Sequence, residues 1–84
     1  MQHVWSVADG SPALNESDIG HDRTYVLPDG TLLILTITGV GNLVHGVIIP
    51  FSATTLIGGQ SRRVVGTYNI NNRDLHCRTT DSAD

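Results

Sequence analysis

The sequence predicts an all-β domain, a small sandwich or barrel of six or seven short antiparallel strands, spanning residues 1–84 and assembling into an oligomer. Three observations predict it. Helix formers are scarce, with one Glu, no Lys and four Ala in 84 residues, whereas Val, Ile and Thr recur in runs bounded by Gly, Pro, Asn and Asp. Those runs follow one another at roughly the 8–12-residue spacing of short strands in sandwiches and small barrels. Finally, the apolar run from Leu32 to Ile57 holds no charged residue. It supplies more two-faced apolar strand than a chain of this size covers alone, so part of it is expected between subunits.

Val4-Trp5-Ser6-Val7 reads as a first strand that ends at the turn pair Asp9-Gly10. Residues 1–23 otherwise form an acidic, loop-rich segment, with room for one helical turn capped by Ser11 and opened by Pro12. Thr24 to Leu27 and Thr31 to Thr38 flank Pro28-Asp29-Gly30, where proline presets φ and glycine permits a positive one, so a hairpin is predicted. In its second strand Leu33, Leu35 and Ile37 face one way, and Leu32, Ile34, Thr36 and Thr38 the other. A turn at residues 39–42 leads into a strand from Leu43 to Ile49, which Pro50 should end or kink because it cannot donate to a ladder. A further strand, Phe51 to Ile57, stops at Gly58-Gly59. Beyond it, Val64, Gly66, Tyr68 and Ile70 alternate with Arg63, Val65 and Thr67. Asn71-Asn72 suits a tight turn. In the closing strand Leu75, Cys77 and Thr79 alternate with Asp74, His76 and Arg78, and residues 80–84 form a polar tail expected to fray.

Composition also excludes. A single cysteine, Cys77, rules out an internal disulfide, and four histidines lack zinc-ligand spacing. Charge is uneven. Residues 1–30 carry Asp9, Glu16, Asp18, Asp22 and Asp29 against Arg23, residues 31–60 carry none, and four arginines face three aspartates thereafter. A net charge of −3 without lysine argues against a polyphosphate partner, whose binding needs several counterions released. No basic residue followed by an apolar run opens the chain, so no secretory signal is expected, and synthesis is expected in the cytoplasm. The uncharged middle contains Gly39, Gly41, Asn42, His45, Gly46 and Pro50, which argues against a membrane-spanning helix.

No residue set announces catalysis, and no metal or cofactor is expected. Cys77 and His76 are adjacent, but neighbours on a strand point to opposite faces. Asp18, His21, Asp22, His3 and His45 offer donor atoms without a ligand pattern. Gly39-Val40-Gly41 lacks the lysine and helix of a phosphate loop, and Asn15-Glu16-Ser17 is a glycosylation sequon that matters only after secretion. The candidate binding residues are Trp5, Tyr25, Arg62 and Arg63, whose rings and guanidinium groups suit a stacking surface for a sugar or base. A lone Trp in a small β domain also serves as core.

Three resemblances follow. Trp5, Asp9-Gly10, the run Tyr25 to Ile34 and Gly66-Thr67-Tyr68 resemble an immunoglobulin-like domain, with Ile70 where that family has cysteine. This implies a monomeric adhesion module. Tyr25 to Leu27, Asp29-Gly30, Gly39, Asn42-Leu43 and Tyr68 to Asn71 resemble Sm-like RNA-binding rings, which would make Asn42 and Arg73 the RNA contacts. The run Pro28 to Leu32, then Val47 to Ser52 and Asn71 to Leu75, resembles tip and connector domains of phage tail fibres and similar virion proteins. That resemblance accords best with the composition. It implies a non-enzymatic structural or binding subunit located in a virion tail, fibre tip or capsid, with itself, neighbouring virion proteins or a host receptor as partners and neither nucleic acid nor membrane span.

Overall fold

The computed structural model describes residues 2–8 and 12–80. Six strands form one antiparallel sheet: β1 (Val4–Val7), β2 (Asp22–Val26), β3 (Leu32–Val40), β4 (Ile48–Ile57), β5 (Gln60–Asn69) and β6 (Asp74–Thr79). Their order across the sheet is β1-β6-β5-β4-β3-β2, so five strands meander and the first returns beside the last. The sheet curls into a half-barrel with β1 and β2 as its two edge strands among the described residues.

Alternation along each strand builds the core on the inner face. Leu33, Leu35 and Ile37 of β3, Phe51 and Ala53 of β4, Val64 and Tyr68 of β5, and Leu75 and Cys77 of β6 are buried together. Their even-numbered neighbours on β3 face outward, as the period of two requires. Gly66 sits at the middle of β5 opposite Cys77. A Cβ at that position would collide with the His76 carbonyl oxygen and come within 2.6 Å of the Cys77 Cβ. Only glycine lets β5 and β6 approach so closely. A register shift between Ile37 and Gly39 adds a bulge to β3, and bulges of this kind increase local bend and twist.

The turns show how local chemistry sets register. Between β2 and β3 the Leu27 N–H donates to the Thr31 carbonyl at 2.8 Å. Asp29 Oδ1 accepts from the Thr31 N–H at 3.0 Å and from its hydroxyl at 2.7 Å. These bonds hold the Asp29 carboxyl below its ordinary pKa. Gly58 and Gly59 both have positive φ, at 58° and 83°, which makes the β4–β5 connection a two-residue type I′ turn.

Several boundaries differ from those expected. Residues 43–47 form a loop with one isolated bridge, Val44 to Ile48, and β4 runs unbroken through Pro50. Hydrogen-bonded pairs alternate from Ile57–Gln60 beside the turn, so Pro50 falls at a non-bonded pair with Thr67 and its missing N–H costs that ladder nothing. Two expected strands are therefore one. A 3₁₀ segment lies at Glu16–Asp18, capped by Asn15. Asn15 Oδ1 accepts from the Ser17 N–H and Asp18 Oδ2 accepts from the Asn15 N–H, each at 2.9 Å. Ile70 leaves the core for the β5–β6 turn, where it is exposed. In that turn Arg73 carries the positive φ of 59°, and Asn69 Oδ1 accepts from the N–H groups of Asn71 and Asn72. The expected turn at Asp9-Gly10, the Ser11 cap and residues 81–84 of the expected tail lie outside the described residues, whereas Thr80, expected to fray with them, donates its N–H to the Arg63 carbonyl at 3.0 Å.

The segment at residues 12–20 is fastened across the sheet. Leu14 is buried, and Arg23 of β2 donates to Asp18 and to the Ala13 carbonyl, both at 3.1 Å. No helix among the described residues is long and apolar enough to cross a membrane.

Candidate functional site

Because β3 is apolar on both faces and the core takes only one, the other face stays uncovered. Leu32 and Ile34 are 61% and 49% exposed. Beside them lie Val26 of β2, at 60%, and Leu56 of β4, at 73%. Val26 pairs directly with Leu32. Together they form an apolar corner on the outer face of β2, β3 and β4.

Next to this corner the sheet opens. The β3–β4 ladder ends at Thr36–Thr54, and beyond it the Thr55 hydroxyl reaches across to donate to the Ile34 carbonyl at 2.8 Å. A side chain thus takes the place of a ladder bond. The resulting cleft, about 720 Å³, has Leu32, Ile34 and Leu56 on its outer side and Trp5, Leu27 and Leu33 on its inner side. Threonine hydroxyls at positions 31, 36, 54 and 55 line it as well. Asp22 and Ser61 line it too, so apolar walls carry a few polar groups, a make-up that suits an extended, largely apolar segment.

All four candidate binding residues fall on or within strands, not on loops. Trp5 is half-buried on the inner face of β1, opposite Cys77, with its ring stacked on His3 at 5.9 Å and 18°. It borders the cleft. Tyr25 is 1% exposed, opposite Leu33, and so presents no ring for stacking. Burial pushes its hydroxyl above the ordinary range, while the nearby Arg23 charge pulls the other way. Arg62 and Arg63 are successive residues of β5 and point to opposite faces. Arg62 is half-buried opposite Thr55, whereas Arg63 is exposed opposite Thr54. The structure therefore brings Trp5 to the cleft and the two arginines to the strand beside it, but does not join the four into one surface.

Other candidates sort by the same geometry. Cys77 is buried, which pushes its thiol up to about 12, and His76 faces away to bond the Ser6 hydroxyl through Nδ1 at 2.9 Å. A thiol so held stays protonated and is a poor nucleophile at neutral pH. Among the described residues no three His, Cys, Asp or Glu side chains gather at metal-binding distance. Asn42 and Arg73 lie in loops at the end of the sheet opposite the cleft, where the Ile70 N–H donates to the Val47 carbonyl. Leu56 and Val26 were not singled out by sequence reasoning. Their signal was parity, since each shares the outward set of its strand with polar neighbours.

Compared with known protein families, curated proteins and solved structures, the chain matches none.

Proposed function

We propose that this chain is a non-enzymatic assembly subunit of a phage virion, part of a tail, fibre tip or capsid, that works by joining copies of itself and neighbouring proteins. The observation that carries this reading is the uncovered corner of Val26, Leu32, Ile34 and Leu56. These four side chains, 49% to 73% exposed, lie on the outward-facing positions of three adjacent strands, and an exposed apolar cluster of this kind often marks an interaction site. A standard interface buries about 800 Å² on each partner, more than four side chains expose, so the surrounding threonines and the sheet edge supply the rest. A second copy is the occupant that the uncharged middle of the chain favours, because the corner's side chains carry no charge to desolvate. The segments that resemble fibre-tip domains support placing the assembly in a virion. In this reading Trp5 at the cleft and Arg63 on the outer face are the residues that meet a neighbouring protein or receptor.

The test is a double variant, Val26→Ser with Leu32→Ser, compared with the unaltered chain by light scattering across a concentration series. Exposed substitutions usually move stability by less than about 0.5 kcal/mol. The variant should therefore still fold and melt cooperatively while its assembled mass falls. Equal assembly by both proteins would remove the corner from the contact.

A further inference from the structure

We propose that copies of this chain join edge to edge, β2 of one copy pairing antiparallel with β1 of the next, so that the sheet continues from copy to copy. This rests on the assembly reading above and names its contact.

Both edge strands end the sheet. On β2, the bonds from Leu27 N–H to the Thr31 carbonyl and from Ile37 N–H to the His21 carbonyl fix the alternation: odd-numbered residues bond to β3. Asp22, Thr24 and Val26 then turn their N–H and C=O groups toward the open side. On β1, the bond from Thr79 N–H to the His3 carbonyl at 2.9 Å fixes the same parity, leaving Val4 and Ser6 to face outward from the edge. An unpaired row of this kind is a template for another strand.

The two rows match in three respects. Six antiparallel strands make β1 and β2 run in opposite directions, so a β2 edge laid against a β1 edge of the next copy continues the antiparallel pattern without reversing the sheet. The edge-facing residues of both strands carry their side chains on the outer face, so the join also preserves inside and outside. Each edge further presents one exposed valine, Val4 at 68% and Val26 at 60%. Pairing Val26 with Val4 of the next copy places Thr24 opposite Ser6, and extends the Leu32–Val26 row by one more apolar side chain. The devices that blunt edges are sparse: β1 has no charge or proline, and β2 shows one exposed charge, Asp22, at its end.

Within one copy the same two edges are offset. The rung through His3 passes by Thr79, Val64, Ala53 and Ile37 to His21, and β1 runs to one side of it while β2 runs to the other. A separate copy is free to slide into register.

The test places cysteines at Ser6→Cys and Thr24→Cys in one chain, followed by mild oxidation and a non-reducing gel. Residues opposite each other in a bonded antiparallel pair have Cα atoms about 5.5 Å apart, which a disulfide can span. Cys77 is buried and stays out of the reaction. A ladder of covalent dimers, trimers and higher species is expected from the double variant, with neither single variant cross-linking. Dimers from Ser6→Cys alone or Thr24→Cys alone would mean like edges meet, and would overturn the proposal. An internally linked monomer would overturn it too, by showing that the barrel closes on itself. If the unaltered protein assembles but the double variant gives no link, edge pairing fails and the assembly reading stands; if the unaltered protein is a monomer throughout, the assembly reading itself fails.

Discussion

Leu35→Asp is expected to abolish soluble folding. Leu35 is 0% exposed at the centre of β3, between Leu33 and Ile37 on the same face. Truncating a leucine there would alone cost about 2–5 kcal/mol. A buried, unpaired carboxylate adds several kcal/mol of desolvation, or its equivalent in a displaced protonation equilibrium. A domain of this length holds only about 4–12 kcal/mol in all. Circular dichroism and the soluble fraction after expression would report the loss. The informative partner is Ile34→Asp, one residue away on the outer face, which should fold and melt cooperatively. A soluble, cooperatively melting Leu35→Asp would contradict the assignment of β3's faces.

Gly66→Ala should produce the next largest loss, although it adds one methyl group. That group would strike the backbone carbonyl of His76 and the Cβ of Cys77, neither of which belongs to a flexible side chain that could swing aside. Overpacking of this kind costs roughly 1–3 kcal/mol, and more where backbone must move. For a domain of this size each kcal/mol lowers the melting temperature by about 4–8 °C, so a fall of roughly 4–24 °C is expected. Val65→Ala, on the opposite face of the same strand, should cost much less. Equal melting temperatures for Gly66→Ala and the unaltered protein would mean that β5 and β6 do not pair Gly66 with Cys77.

Much of this fold is legible from local pattern. The alternation of β3, the Pro28-Asp29-Gly30 hairpin and the half-buried pattern of β6 follow from the period of two and from turn chemistry. Pro50 was misleading because its effect depends on which neighbour its nitrogen faces, and that is set by a register counted from Gly58-Gly59, several residues away. The pairing of β1 with β6 joins residues some seventy positions apart, and nothing local to Val4–Val7 encodes it. The site divides the same way. Successive arginines on a strand must face apart, so the separation of Arg62 from Arg63 was available in the sequence. The burial of Tyr25 was not, since a tyrosine suits surface or core and its place opposite Leu33 depends on the hairpin's register. The uncovered corner was half visible: an apolar second face on β3 was plain, but its neighbours Val26 and Leu56 join it only once the strands are laid side by side.

The central claim is that this half-barrel is completed by its own copies. Its most direct test is the mass of the unaltered protein in solution, by light scattering on a sizing column over a wide concentration range. An assembly of several copies whose mass holds as the protein is diluted is the expected result, and a strict monomer at every concentration would contradict the account.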